Sequence, residues 1–304
     1  MTNALPLHTL RAFFSDRLRE NTPLAPYTSA RIGGPADALL TVQSGKELRE
    51  VVEYMWRLDV PFTILGNGSN VLISDRGVRG MVIINRAKAV QFEPGEQPKV
   101  WAESGITISN LAHRAASKGL SGLEWAANIP GTLGGAVYGN AGAFGSDIAS
   151  TLIVVELLCE NGFERWPVEK MNYGYRTSLL KQQKTKNIIL AAEMQMKNST
   201  KQVAQEKIQQ FSDCRKNTQP PGASMGSMFK NPTGDHAGRL IEAAGLKGTR
   251  IGNAEISPVH ANFFISKGKT KADDVRALIE LARIRVEAMF GINLELEIEF
   301  LGEW

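Results

Sequence analysis

The chain has 304 residues and a net charge of +4, with lysine and arginine dispersed along its length. That balance excludes the clustered basic surface of a nucleic-acid binder, and the 43% hydrophobic and 22% charged fractions exclude global disorder. No apolar run approaches the ~20 residues of a membrane span.

The N-terminal stretch MTNALPLHTLRAFFSDRLRE lacks a basic region followed by an apolar one, so secretion is not expected. Within it Leu7, Leu10, Phe13, Phe14 and Leu18 carry helical spacing. A proline-broken segment follows. Ser44 with Glu47 is a capping-box signal opening a helix to about Leu58, whose apolar stripe is Leu48, Val51, Val52 and Met55. PFTILG, VLIS and MVIIN read as strands around the loop GNGSN, which predicts a small α/β subdomain with parallel pairing.

From about residue 88 the pattern turns antiparallel. AKAVQFEP and KVWAESG flank the turn PGEQP, and ITISNLAHRAASKG reads as a helix stopped by Gly119. TLIVVELLCENGFERWPV is a hairpin turning at Glu160-Asn161-Gly162, and NIILAAEMQM adds a strand. The polar helix STKQVAQEKIQQFSDCRK bridges to a third region. There the helix AGRLIEAAG precedes strand-like RIGNAEIS and ANFFIS. A long amphipathic helix follows, with Thr270 as its N-cap and Gly291 as its stop, and INLELEIEFLG reads as a terminal strand.

Several stretches carry chemistry. In LGNGSNVLI, Gly66 and Gly68 let backbone amides converge while Ser69 and Asn70 add donors, a setting for a diphosphate. A plain turn between strands is the commoner use of so short a loop. The second loop, NIPGTLGGAVYGNAGAFG, holds Gly131, Gly134, Gly135, Gly139, Gly142 and Gly145. So many glycines cost conformational entropy, which is usually offset where backbone must approach something closely. Pro130-Gly131-Thr132 can open a helix whose free amides face an anion.

Arg176, in GYRTSLL, suits a carboxylate, although a surface ion pair is the commoner fate of an arginine. Strict alternation in ELEIEFL puts Glu295, Glu297 and Glu299 on one strand face, ordinarily a solvated one. In ASMGSMFKNP one hydroxyl, Ser227, sits in an apolar loop. The four histidines show no ligand spacing, and Cys159 and Cys214 fit reduced thiols, so no metal site is expected.

Together the blocks RIGGPAD at 31, LGNGSNVL at 65, NIPGTLGGAVYGNAGAFG at 128, GYRTS at 174, GSMFKNP at 226, AGRLIEAAGLKG at 237, HANF at 260 and LELEI at 294 span nearly the whole chain. In kind and order they resemble the UDP-N-acetylmuramate dehydrogenases, also called UDP-N-acetylenolpyruvoylglucosamine reductases. The resemblance implies an α+β protein with the p-cresol methylhydroxylase-like FAD-binding fold. Two α/β FAD-binding subdomains, 1–86 and 87–199, would precede an α+β substrate domain at 200–292, with 293–304 a terminal strand returning toward the FAD domain and active site. It implies a bacterial, cytoplasmic flavoprotein, here taken as a monomer acting on small molecules. With FAD and NADPH it would reduce an enolpyruvyl ether of UDP-N-acetylglucosamine to UDP-N-acetylmuramate for peptidoglycan.

Carried over by position, Ser227 would protonate the substrate carbon, while Arg176 and Glu297 would stabilise the enolic intermediate. Cofactor contacts are expected from Gly66, Asn67, Gly68, Ser69 and Asn70, and from Ile129, Pro130, Gly131, Thr132, Gly134, Gly135, Asn140 and Gly142. Substrate contacts are expected from Tyr175, Lys230, Asn231, Lys247 and His260. The short run between Arg176 and residue 188 leaves no room for the tyrosine-bearing loop of one branch of the family, which leaves Arg215 and Lys216 to secure the diphosphate. A flavin oxidase of the same fold, or a non-catalytic flavin or nucleotide-sugar binder, are the competing readings. Neither needs the serine, arginine and glutamate together.

Overall fold

The computed structural model describes residues 5–183 and 186–304. Residues 1–4, the start of the N-terminal stretch and of the first expected subdomain, lie outside it, as do 184–185 in the short run before residue 188. The chain divides into two compact units. One comprises the residues up to Leu40 with Val60–Ile83 and Lys216–Trp304; the other comprises Thr41–Asp59 and Ile84–Arg215.

The first unit opens with α1, Leu7–Phe14, which buries Leu10 and Phe14 while Phe13 stays exposed. Its first sheet runs in the order Arg19–Pro23, Pro35–Val42, Val78–Asn85, Phe62–Leu65. The strand Arg19–Pro23, which leads into the proline-broken segment, pairs antiparallel with Pro35–Val42. Parallel pairing joins Val71–Ile73 to Glu299–Leu301, partners far apart in sequence.

In the second unit α2, Gly45–Arg57, is capped by Ser44, whose hydroxyl accepts from Glu47 N at 3.1 Å. The Glu47 carboxylate accepts from Gln43 N at 2.6 Å instead of closing the box on Ser44. Leu48, Val51, Val52 and Met55 are buried, as their spacing predicts. A five-stranded antiparallel sheet runs Gly162–Pro167, Leu152–Cys159, Ile188–Gln195, Lys99–Glu103, Val90–Glu93. Cys159 pairs with Gly162, so the hairpin turns on Glu160-Asn161 and Gly162 takes φ +117°. Helices α3 (Ile108–Ser117), α4 (Leu133–Gly139) and α5 (Leu179–Gln183) belong to this unit, with most of α6 (Lys201–Thr218). Leu111, Trp125, Leu133, Val137, Val155 and Met194 form part of its core.

The C-terminal part of the first unit is an antiparallel sheet in the order Ala223–Ser227, Phe263–Ser266, Ala254–Ile256, Arg250–Ile251, with α7 (Ala237–Ala243) and α8 (Ala272–Phe290). Met225, Met228, Phe229, Leu240, Phe264 and Leu278 share its core. Three expectations change here. RIGNAEIS is two short strands around a turn, with Gly252 at φ +53°. Thr270 does not cap α8; its hydroxyl bonds Asn253 O, and the carboxylate of Asp75 accepts from Ala272 N at 3.0 Å and Asp273 N at 3.2 Å. INLELEIEFLG is a strand only at Glu299–Leu301, because its partner Val71–Ile73 is equally short. Glu297 therefore lies in a bend, and the single face of three glutamates does not form.

Candidate active site

Ser227 ends the strand Ala223–Ser227 and so does not lie in a loop. Ser224 pairs with Ile265 and Ser227 with Phe263, so three steps on one strand match two on the other. The extra residue is a β-bulge, with Gly226 in it at φ +79°. A bulge bends its strand and re-aims a side chain. Met225, Met228 and Phe229 are buried around the half-buried serine. None of the hydrogen bonds among the described residues uses the Ser227 hydroxyl.

Glu297 follows the bridge between Phe229 and Leu296, and its backbone N–H donates to Met228 O at 3.0 Å. Its carbonyl accepts from Asn70 Nδ2 at 3.0 Å, and Glu299 N donates to Asn70 O at 3.0 Å. The Ser29 hydroxyl donates to Ser224 O at 2.8 Å while the Ser29 N–H donates to Gly68 O at 3.1 Å. A Cβ on Gly226 would lie 4.0 Å from Ser69 O. The first glycine-rich loop, the bulge bearing Ser227 and the Glu297 bend are therefore brought together. Gly68, at φ +56°, has an internal reason to be glycine, since a Cβ there would stand 2.6 Å from Tyr27 O. Ser29 was not anticipated; a serine beside Arg31 carries no pattern of its own.

The other expected substrate residues of this unit are engaged with the protein. Lys230 Nζ lies 3.3 Å from the Glu295 carboxylate, and Lys247 Nζ lies 2.7 Å from that of Glu242. Asn231 Oδ1 accepts from Ala237 N at 3.1 Å, at the start of α7. His260 accepts from Asn262 N at Nδ1 (3.2 Å) and sets its ring edge-on to Phe263 at 5.0 Å. Burial, aided by the Lys247 charge, holds its pKa below the usual imidazole range. The neutral ring thus carries its proton on Nε2. A Cβ on Gly238 would come within 2.8 Å of His260 Cε1, so any larger residue there would have to displace the ring.

In the second unit the glycine-rich stretch forms α4, with Thr132 in the N-cap position but making no side-chain cap. Its first two amides do not face an anion: Leu133 N donates to Ile106 O and Gly134 N to Ser104 O, both at 2.8 Å. The glycines separate into two kinds. A Cβ on Gly134 would stand 3.0 Å from Ser104 Cβ, one on Gly142 would stand 2.6 Å from Ser146 O, and Gly145 takes φ +78°. Those three answer to the chain itself. A Cβ on Gly135 would meet only Thr132 Oγ1 at 3.7 Å, and one on Gly139 would meet nothing within 4 Å.

Asn140 takes φ +46° at the end of α4 and turns its side chain inward. Nδ2 donates to Asp147 Oδ2 and Gly174 O, and Oδ1 accepts from Ala149 N, each at 3.1 Å. It ties the loop to the turn Gly174–Thr177, which carries Arg176 at φ +57°. Arg176 Nη2 donates to Gly142 O at 2.7 Å and its guanidinium lies 5.2 Å from the ring centre of the exposed Tyr175. Tyr173 and Ser178, which the sequence did not single out, fasten the same turn through bonds to Val137 O (2.8 Å) and Tyr138 O (2.6 Å). Their signal was only their place on either side of Tyr175-Arg176. Arg215 sits on α6, where burial lowers its pKa without unseating its charge; Lys216 beside it is exposed.

Residues 217–301 match the family profile described as UDP-N-acetylenolpyruvoylglucosamine reductase, C-terminal domain, and residues 36–165 match an FAD-binding domain. The reductase of Chloroflexus aggregans is 42% identical over 290 residues, covering 93% of this chain and 97% of that one. That of Bacillus subtilis is 42% identical, covering 93% of each. The chain belongs to the UDP-N-acetylenolpyruvoylglucosamine reductase family. A crystal structure of the family member from Thermus caldophilus agrees in fold, with a TM-score of 0.79 at 36% identity, covering 93% of this chain and 99% of that one. Family membership gives this chain its mixed α+β FAD-binding fold, and the FAD-binding match contains both glycine-rich loops. The residues fit that cofactor: at Gly135 and Gly139 the missing Cβ leaves helix backbone open for a flat ligand where no group of the chain requires it. Among the described residues no cluster of His, Cys, Asp or Glu is placed to hold a metal, and no helix is long and apolar enough to cross a membrane.

Proposed function

We propose that the chain reduces the enolpyruvyl ether of UDP-N-acetylglucosamine to the lactyl ether of UDP-N-acetylmuramate in peptidoglycan precursor synthesis. FAD held by the two glycine-rich loops would supply the hydride, with NADPH as its reductant. The hydride becomes a C–H bond at the substrate β-carbon and leaves an enolate whose charge spreads onto the carboxylate. The Ser227 Oγ–H bond breaks as a C–H bond forms at the α-carbon, and water returns a proton to the serine. A serine hydroxyl is a weak acid, so the transfer depends on placement against a strongly basic carbon and on the dry setting of Met225, Met228 and Phe229. Arg176 holds the carboxylate with its guanidinium fork, and Glu297 shares a proton with the developing enol.

The observation that carries this reading is the Ser227 hydroxyl: it sits on a glycine bulge whose flanking residues Gly226 and Met228 meet the first glycine-rich loop and the Glu297 backbone, and it is bonded to nothing else described. We assign 1–86 and 87–199 to cofactor binding, 200–292 to the substrate and 293–304 to the active-site edge, in a cytoplasmic monomer. The test is a spectrum. The purified chain should be yellow, NADPH should bleach it, and the enolpyruvyl nucleotide sugar should restore the colour anaerobically. A chain that bleaches without recovering when given that sugar refutes the substrate; one that takes up no flavin refutes the whole reading.

A further inference from the structure

We infer that Asn262 is the positioning residue that fixes Ser227 for proton transfer. This rests on the proposed role of Ser227. Regular strand pairing stops at Ser227 opposite Phe263. Just beyond, the Asn262 carboxamide takes over as a substitute peptide. Phe229 N donates to Asn262 Oδ1 at 2.9 Å, and Asn262 Nδ2 donates to Phe229 O at 2.8 Å. Its backbone carbonyl also accepts from Met228 N at 2.8 Å. Both partners of the side-chain clamp are buried, Asn262 at 3% exposure and Phe229 at 1%.

The clamp decides how the chain leaves the bulge. Gly226 gives the backbone freedom just before Ser227; Asn262 removes it just after. The same segment holds the second catalytic candidate, because Glu297 N donates to Met228 O and Leu296 bridges Phe229. Asn262 is itself set by His260, whose Nδ1 accepts its N–H at 3.2 Å. At neutral pH an amide side chain offers a donor and an acceptor side by side to one residue's N–H and C=O. Alanine offers neither, and ionised aspartate has no donor.

The experiment uses the FAD-loaded chain and separates the half-reactions. Asn262→Ala should bleach with NADPH at a rate within about twofold of wild type, yet recover colour with the enolpyruvyl nucleotide sugar more slowly, on the order of 10²-fold, the scale of a displaced general acid. The sugar's dissociation constant should change little, and hydrogen exchange at the Phe229 amide should accelerate. Combining it with Ser227→Ala should slow recovery no further than Ser227→Ala alone, since the two act as one unit. Asn262→Asp keeps the shape and serves if the alanine variant fails to fold. Its recovery rate relative to wild type should rise as pH falls, because the protonated carboxyl again presents one donor and one acceptor. Equal slowing of both half-reactions, additivity with Ser227→Ala, or normal recovery in a folded Asn262→Ala (in Asn262→Asp at neutral pH if the alanine variant does not fold) overturns the inference. If Ser227→Ala itself recovers normally, the role of Ser227 falls and the inference with it; a slow Ser227→Ala beside a normal Asn262→Ala overturns only the latter.

Discussion

The side-chain amide of Asn70 donates to the carbonyl of Glu297 at 3.0 Å, and the Asn70 carbonyl accepts from Glu299 N at the same distance. A residue of the first glycine-rich loop thus carries the bend that presents Glu297, the glutamate proposed to act on the enol. Asn70→Ala is expected to cost about 1 kcal/mol of stability and to slow reoxidation by the nucleotide sugar. Denaturant unfolding and stopped-flow absorbance check this. Unchanged reoxidation would mean that the bend holds itself.

The two kinds of glycine in the second loop should answer oppositely to alanine. Gly135→Ala has room for its Cβ inside α4 and gains helix propensity, so the flavin-free chain should be more stable by roughly 0.5–1 kcal/mol. FAD affinity should nevertheless fall. Gly134→Ala meets Ser104 Cβ at 3.0 Å and should lose stability instead. Thermal unfolding without flavin, together with fluorescence titration of FAD, separates the cases. Undiminished FAD binding in Gly135→Ala would remove that position from the cofactor cradle.

Ser227→Ala should leave bleaching by NADPH intact and block recovery by the substrate, with a loss of about 10²–10⁴ in that step. Normal turnover would remove Ser227 from the mechanism.

Arg176→Lys keeps the charge and suits the left-handed backbone no worse than arginine. It cannot hold both a carboxylate and Gly142 O in one planar fork. Reoxidation is expected to fall by on the order of 10²-fold, the scale of one lost electrostatic donor, while flavin reduction is spared. Retention of most activity in this variant contradicts the assigned role.

His260 gives stability a pH dependence whose sign follows from its lowered pKa. The unfolded chain binds the proton first, at the ordinary value of about 6.5. The stability tied to the neutral ring is therefore complete above that value and is lost as pH falls through the lower, folded one. His260→Gln should flatten the unfolding midpoint between pH 8 and pH 5 relative to wild type. An unchanged slope would show that other groups govern it.

Local signals read well where local physics decides. The Ser44 cap, the apolar stripe of α2, the Glu160-Asn161 turn and the antiparallel pair around PGEQP all follow from neighbouring residues. What the sequence withheld depends on distant partners. The bulge at Gly226 exists only against Phe263–Ser266, Asp75 caps a helix beginning at Ala272, and the alternation at 295–299 cannot be a strand where no strand is there to meet it. The same blindness covered the asparagines. Asn70 reads as a side-chain donor to a ligand and Asn140 is an expected cofactor contact; the side chains of both are bonded within the protein. Polar residue type names a chemistry; only the fold says whom it serves.

The parallel pairing of Glu299–Leu301 with Val71–Ile73 also bears on how the protein is born. On the ribosome the strand that follows the first glycine-rich loop must wait for residues translated long after it, while Thr41–Asp59 and Ile84–Arg215 already have their sheet partners to hand. Nascent chains should therefore mature one unit early and the other only near release, and proteases should cut the waiting portion first.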